Sequence, residues 1–396
     1  MKVAYFCDTF APQINGVSMT LQRLSRYAHE NDIEIVFLVP DYPGAPKKEK
    51  NVFRFFSLPL FFYKDCRLAI PPIYKAERIL DAFCPDIIHA YSEFGISLAA
   101  IRYAKKKRIP IVSSYTSNFN HYLRYYNMDI LNSALDNYLN WFHNNCKLTF
   151  CPSESARSTL QKKDITRVDI MKRGVDPSRF NPSFYSENFR KKVGAGKDAM
   201  IFTYIGRISP EKDLDILTEV ICRVKVKYNY KAVFVVVGDG PYLEQMKRDV
   251  GDKAIFTGFL SGEQLSQAYA SSDLLVFPST TETFGNVVLE SMCSGVPAIV
   301  PMSGGVAEIV EDCRNGYLVP PRNANAFAEI IGRVLENPQV LTALRSGALE
   351  TAKLRGWDTV FKGLFLRYSE LLIDVHKHNV DKFGINKTMG KECLTS

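Results

Sequence analysis

LLVFPSTTETFGNVVLE, residues 274–290, reads as a strand, a loop and a helix in seventeen residues. Leu274, Leu275, Val276 and Phe277 form an apolar run without alternation, the pattern of a strand covered on both faces. Pro278 and a string of hydroxyl residues end it. Gly285 and Asn286 then open a helical pattern in which Val288 and Leu289 supply the apolar side.

The same unit recurs in both directions. In the first half, strands are predicted at residues 3–6, 33–39, 87–90, 109–114, 148–151 and 168–172. In the second they are predicted at 200–205, 232–237, 254–257, 274–277, 298–300 and 317–319. Helical patterns separate many of them, among them 18–29, 213–226, 262–270 and 324–336. Repeated strand–helix–strand units imply right-handed crossovers and parallel sheets, hence an α/β fold with two doubly wound domains. The two series meet near residues 174–182, which hold Pro177 and Pro182 and little apolar periodicity. The expected division is therefore 1–180, 181–375 with an aromatic-rich terminal helix over 357–375, and a polar tail at 376–396. Domains of this kind bind ligands beyond the carboxyl ends of their strands, so the site is expected in a cleft between them.

Composition agrees. A chain of 396 residues, 46% hydrophobic and 23% charged, is long enough for two ordinary globular domains. Asp8 and Pro12 interrupt the first apolar run too early for a signal peptide, and no run approaches the roughly 20 apolar residues of a membrane span. A cytoplasmic location is expected. The nine cysteines form no CxxC pair and no metal-like cluster, and their odd number and scatter read as reduced thiols. Charge is unevenly spread: residues 1–180 hold 25 Lys and Arg against 17 Asp and Glu, while 181–396 hold 25 of each. All of the net +8 thus lies in the first half, which suits an acidic partner such as phosphorylated substrate or anionic membrane.

The chemistry is carried by two loops of the second half. Glu282 stands in the loop leaving a strand, where a carboxylate can accept hydrogen bonds from sugar hydroxyls. Glu290 falls about one turn inside the next helix, where it can receive a bidentate pair from a ribose diol. Between them, Gly285 and Asn286 leave backbone N–H groups open to phosphate oxygens. The other loop, YIGRISPEKD from Tyr204 to Asp213, also leaves a strand through a glycine, Gly206. Arg207 and Lys212 there can converge on a diphosphate and neutralise it as it departs, without a metal ion. Glycine turns follow other strands at Gly16, Gly238, Gly240, Gly258, Gly304 and Gly305. Their spacing is not the dinucleotide GxGxxG pattern.

Together, NGV near the start, GRISPEKD, VGDGP, FTGF, ETFGNVVLE and SGVPAIVPMSGGVAEIV resemble glycosyltransferase family 4, over roughly residues 1–370. The resemblance implies the GT-B fold, two Rossmann-like domains facing across a cleft, with the terminal helix crossing back to the first. It further implies metal-independent transfer of a hexose from a UDP- or GDP-sugar with retention of anomeric configuration. By the family pattern, Arg207 and Lys212 contact the diphosphate, Glu282 the donor sugar and Glu290 the nucleotide ribose. Gly16 matches a loop glycine near the phosphates and acceptor. The expected catalytic set is Arg207, Lys212 and Glu282, and the donor-binding set Gly16, Gly206, Gly238, Phe284, Gly285, Asn286 and Glu290. No cofactor and no metal are expected. One departure stands in SYTSNF: related enzymes commonly place a histidine where this chain has Thr116. A threonine cannot act as a base near neutral pH, so Thr116, Asn118 and His121 are candidate acceptor or sugar contacts only.

The first half, with RFFSLPLFFYKDCRLAIPP, looks like the mannosyl- and glucosyltransferases that modify membrane lipids. Residues 47–67 interleave Phe53, Phe55, Phe56, Phe61, Phe62 and Tyr63 with Lys47, Lys48, Lys50, Arg54, Lys64 and Arg67. Cations beside aromatics suit a headgroup interface, so an anionic membrane surface and a lipid or glycolipid acceptor are expected. The alternative for the same stretch is core phenylalanines beside a basic loop. Lys105–Arg108 reads as a solvated helix C-terminus. The rival functions are transfer to a soluble or polysaccharide acceptor, a nucleotide-sugar epimerase, or a basic nucleic-acid-binding protein. No zinc ligands or binding module support the last, so nucleic acid is not expected as a partner.

Overall fold

The computed structural model describes the chain apart from residues 14, 47, 61–62, 70, 117–131 and 384–396, and apart from the side chains of 60, 63–66, 376 and 378–383. It divides into two compact units. The first comprises Met1–Pro152, Arg157–Met171 and the chain from Asp358, and the second Ser153–Ala156 and Lys172–Trp357.

Fifteen strands occur among the described residues. In the first unit, β1 (Lys2–Phe6), β2 (Glu34–Pro40), β3 (Val52–Phe55), β4 (Ser57–Leu60), β5 (Tyr63–Ala69), β6 (Ile87–Ala90), β7 (Ile111–Ser114), β8 (Leu148–Cys151) and β9 (Val168–Ile170) follow in chain order. All but β4 and β5 make one parallel sheet in the order β3-β2-β1-β6-β7-β8-β9. The helices α1 (Gly16–Glu30), α2 (Ile73–Phe83), α3 (Ser97–Lys107) and α4 (Asn132–Asn144) lie between its strands, and α5 (Glu154–Gln161) follows β8. Ala4, Phe6, Val36, Leu38, Ile88 and Ala90 form the buried centre, with Ala100, Ile101 and Ala104 of α3 over them.

The second unit holds β10 (Met200–Ile205), β11 (Ala232–Val237), β12 (Ala254–Gly258), β13 (Leu274–Val276), β14 (Ala298–Pro301) and β15 (Gly316–Val319). They form a parallel sheet in the order β12-β11-β10-β13-β14-β15. Its helices are α6 (Glu187–Lys192), α7 (Leu214–Tyr228), α8 (Leu243–Val250), α9 (Gly262–Ala270), α10 (Asn286–Cys293), α11 (Ala324–Glu336) and α12 (Val340–Lys353). Every residue of β11 is buried, as its unbroken AVFVVV run requires. Counted along each parallel sheet, the order is therefore the doubly wound 3-2-1-4-5-6-7 in the first unit and 3-2-1-4-5-6 in the second, reversing in both between the first and fourth strands. There the loops leaving neighbouring strands diverge and open a crevice at the carboxyl edge.

Several boundaries differ from the sequence reading. The units divide after Met171 rather than at 180, because Val175 and Phe180 belong to the second core. The terminal helix α13 (Trp357–Phe383) continues past 375 into the expected tail. From Asp358 it belongs to the first unit, where Tyr27 stacks on Phe365 and Tyr368 OH meets His89 Nδ1 at 2.5 Å. Strands β3, β4 and β5 were not foreseen, since residues 47–67 lack both alternation and a continuous apolar run. The thiol reading holds for Cys7, Cys146, Cys151, Cys222, Cys293 and Cys313. Cys84 is instead disulfide-bonded, a correction that spacing cannot anticipate, because bridging depends on distance in space.

Candidate active site

In the second unit the sheet order reverses between β10 and β13, and the loops leaving these two strands carry both predicted motifs. They are tied to each other. Asp213, at the start of α7, accepts from Thr280 N at 2.9 Å and Thr280 Oγ1 at 2.7 Å. Thr281 Oγ1 donates to Glu211 O at 2.9 Å. Lys212 Nζ reaches Glu282 Oε1 at 2.5 Å, with about a fifth of each side chain still exposed (21% and 19%). Arg207 is exposed, and its carbonyl accepts from Tyr204 OH at 2.8 Å. Tyr204 in turn stacks on Phe277 at the end of the neighbouring strand, with ring centroids 5.7 Å apart and 8° between planes. Its hydroxyl is pushed well above the usual phenol range by burial, and the nearby carboxylates of Glu282 and Glu211 add to this.

The Glu282 loop is fixed from its other side as well. Gly305 N donates to Glu282 O at 2.8 Å, and Ser153 Oγ donates to Thr283 O at 2.7 Å. Gly285 stands at the N-cap of α10 with φ +93°, and a Cβ there would lie 2.4 Å from Val306 Cγ1. Only glycine fits both demands. Gly285 has no side chain with which to cap α10, and the helix begins at exposed Asn286, where the positive end of its dipole lies. Helix starts of this kind suit anions. Phe284 is buried beneath the Arg355 guanidinium, 6.0 Å from its ring. One turn into α10, Glu290 Oε2 accepts from Tyr269 OH at 2.9 Å. Tyr269 is buried and packs edge-on against Phe180, so the carboxylate is held rather than left to swing.

Gly206 and Gly238 lie side by side at the ends of β10 and β11. A Cβ on Gly238, at φ +140°, would sit 1.9 Å from Gly206 O. The sequence-predicted residues Gly206, Arg207, Lys212, Glu282, Phe284, Gly285, Asn286 and Glu290 thus all lie on the β10 and β13 loops or on α10. Sequence reasoning missed Asp213, Thr280 and Tyr269, which hold the two loops and the Glu290 carboxylate. Asp213 was visible as the acidic residue closing SPEKD, but its partner needed the fold.

In the first unit, Gly16 is the first residue of α1, and Asn15 Oδ1 caps the helix by accepting from Ser18 N at 2.9 Å. Thr116 is half-buried just beyond β7, whereas Asn118 and His121 lie outside the described residues. The sheet reversal here falls between β1 and β6, and its loops carry acids that sequence reading passed over. Asp8 Oδ2 accepts from Ser92 Oγ at 2.8 Å and Oδ1 from Ile96 N at 3.2 Å, so a carboxylate of the chain itself occupies the start of α3. Burial pushes the Asp8 carboxyl up to about 7. Of the basic run, Lys106 and Lys107 pair with Glu77 and Asp81, each at 2.8 Å, in keeping with a solvated helix end. In the Phe-rich stretch Phe55 is core, while Phe56 and Leu58 are 80% and 60% exposed; Lys47, Phe61 and Phe62 lie outside the described residues.

Among the described residues no three His, Cys, Asp or Glu side chains cluster as a metal site would require, and no helix is long and apolar enough to cross a membrane.

Two Rossmann-like units, the second with cationic loops and an open helix end at its sheet reversal, define the GT-B class of nucleotide-dependent transferases. The profile described as "Glycosyltransferase Family 4" matches residues 14–179, and "Glycosyl transferases group 1" matches residues 186–351. A GDP-mannose-dependent alpha-mannosyltransferase of Mycolicibacterium smegmatis is 31% identical over 81% of this chain and 84% of its own. An alpha-monoglucosyldiacylglycerol synthase of Streptococcus pneumoniae is 28% identical over 80% of this chain and 75% of its own. HepE of Anabaena, solved in complex with UDP-glucose, superposes with a TM-score of 0.73 at 19% identity, over 93% of this chain and 100% of that one. The chain belongs to glycosyltransferase family 4. It is an enzyme, a glycosyltransferase.

Proposed function

We propose that the protein is a retaining hexosyltransferase that moves a sugar from a UDP- or GDP-sugar to a membrane lipid or glycolipid without a metal ion. The observation that carries this reading is the convergence, at one sheet reversal, of Lys212, Glu282 and the uncapped start of α10, with Glu290 one turn behind. The diphosphate would lie against the α10 amides, Arg207 and Lys212. The ribose diol would meet Glu290, and the sugar hydroxyls Glu282. As the anomeric C–O bond breaks, its electron pair passes to the leaving phosphate oxygen, whose charge the two cations and the helix end stabilise more than in the ground state. The acceptor hydroxyl oxygen bonds to the anomeric carbon on the same face and releases its proton to that phosphate oxygen. Thr116 then needs only to hold a hydrogen bond, as its chemistry allows.

The lipid acceptor is supported by the names of two similar proteins, a glucosyldiacylglycerol synthase and a sulfoquinovosyl transferase of Arabidopsis thaliana. It is also supported by the surface of the first unit. The β4–β5 ribbon pairs Leu58 with Leu68, both exposed, beside exposed Phe56, Ile73 and Tyr74. Lys48, Lys50, Arg67 and Lys75 belong to the same stretch of chain. Exposed apolar side chains in a stretch of chain that also carries cations suit an anionic headgroup layer. The test is turnover of a nucleotide-sugar panel with lipid extracts in excess chelator, with product linkage read by NMR. Glycolipid with unchanged anomeric configuration and undiminished rate supports the reading. Loss of activity in chelator, an inverted product, or transfer only to soluble glycans overturns the corresponding part. Absence of sedimentation with anionic vesicles at low salt would remove the membrane surface.

A further inference from the structure

Behind the carboxyl edge of the first unit lies a buried acid and a buried imidazole that none of the chemistry above uses. Glu93, in the loop leaving β6, is 1% exposed, and His143, near the end of α4, is equally buried. Glu93 Oε1 and His143 Nε2 stand 3.9 Å apart, and among the described residues neither atom has a hydrogen-bond partner. Unsatisfied buried polar atoms are costly and rare enough to need a reason. The other ring nitrogen is engaged: His143 Nδ1 meets Ser113 Oγ at 3.0 Å and Thr149 Oγ1 at 3.3 Å. Ser113 is on β7 and Thr149 on β8, so the imidazole is pinned to the two strands beside β6. The Glu93 segment is held to the same helix, with Tyr138 OH donating to Glu93 O at 2.5 Å and the Tyr138 ring stacked on Phe94 at 5.3 Å.

This arrangement spans the ends of two strands that lead to the acceptor side. β6 runs into Tyr91–Phe94 and the Asp8–Ser92 contact at the sheet reversal. β7 runs from Ser113 directly into Tyr115 and Thr116, and the Tyr115 ring meets His143 edge-on at 6.2 Å. We propose that Glu93 and His143 are a positioning pair for the acceptor step, a buried carboxyl facing a buried imidazole at 3.9 Å that sets the Tyr115–Thr116 strand end against the β6 loop. The inference rests on reading the first unit as the acceptor side.

The protonation states follow from surroundings. Burial drives the Glu93 carboxyl well above its usual range, and Asp8 nearby adds to this; burial holds the His143 imidazole down to about 3. With Nδ1–H given to the hydroxyls of Ser113 and Thr149, Nε2 presents a lone pair and a protonated Glu93 presents the matching O–H. A movement of about 1 Å brings them to hydrogen-bond distance. If Glu93 ionises, the carboxylate faces that lone pair and the match is lost. Among the described residues, the other titratable groups facing Glu93 are Asp8 from the β1 loop, Tyr115 beyond β7 and Tyr138 on α4.

The test compares Glu93→Gln, which keeps a donor but cannot ionise, with Glu93→Ala, in the full-length enzyme. Read across pH are kcat and KM for the lipid acceptor, donor hydrolysis in water, UDP and GDP affinity, and Tm. A misplacement of about 1 Å costs roughly a hundredfold in rate. The expected results are a loss of tenfold or more in acceptor kcat/KM for Glu93→Ala, with donor hydrolysis and nucleotide affinity within twofold. Glu93→Gln should keep activity near neutrality, and any alkaline decline of the wild type that comes from ionisation of Glu93 should be absent from it. Identical pH profiles for wild type and Glu93→Gln overturn the proposal, as does equal loss of hydrolysis and transfer in Glu93→Ala. A wild type that transfers to no lipid would instead refute the acceptor reading itself, so the two failures are told apart.

Discussion

Replacing Lys212 by alanine tests the central electrostatic reasoning. The ammonium lies 2.5 Å from Glu282, with about a fifth of each side chain exposed (21% and 19%), so it works in a partly desolvated setting. At an effective dielectric near 20, a cation about 4 Å from a departing phosphate oxygen gains about 4 kcal/mol. Desolvation and the competing Glu282 carboxylate offset much of this; if a third survives as transition-state preference, about 1.4 kcal/mol remains, a tenfold effect. Lys212→Ala should therefore lower kcat about tenfold or more. It also strips Glu282 of its partner, which costs about 1–3 kcal/mol in stability. The double variant Lys212→Ala with Glu282→Gln removes that unpaired charge, so its Tm should recover while kcat stays low. Steady-state kinetics with scanning calorimetry separates the two effects. A single variant with kcat within twofold of wild type and intact nucleotide binding would refute the assignment of Lys212 to the leaving group.

Glu290→Ala should weaken nucleotide binding by roughly ten- to a hundredfold, since charge-assisted hydrogen bonds contribute about 1.5–3 kcal/mol; calorimetric titration with UDP and GDP reads this, and unchanged affinity argues against a ribose contact. Gly285→Ala places a Cβ 2.4 Å from Val306 Cγ1 at φ +93°, so Tm should fall together with donor affinity. Folding also binds Asp8 more protons than the unfolded chain, because its carboxyl rises from 3.8 to about 7. Its contribution to stability is fullest below the unfolded value and declines as pH rises through that window, by up to about 1.4 kcal/mol per unit. Asp8→Asn should remove this component, and denaturation curves between pH 4.5 and 7 with the same slope in both proteins would contradict it.

Local sequence determined much of this protein because its strands are short, apolar on both faces and closed by glycine. AVFVVV has no reading other than a central parallel strand, and ETFGNVVLE places an uncapped helix start directly after one. The positions of the residues proposed to meet the donor were legible for the same reason: each belongs to a loop whose strand and helix are written next to it. Residues 47–67 were not legible, since one buried phenylalanine, Phe55, stands beside exposed Phe53 and Phe56, and only sheet register decides which faces the core. Strand order was equally beyond reach of local pattern. It is the adjacency of β10 and β13, far apart in the chain, that brings Lys212 to Glu282 and Asp213 to Thr280. The pairing of Glu93 with His143 across fifty residues belongs to the same class. Chain neighbours declare themselves through propensity and periodicity, whereas contacts between distant segments exist only once hydrophobic burial has packed the helices against the sheet.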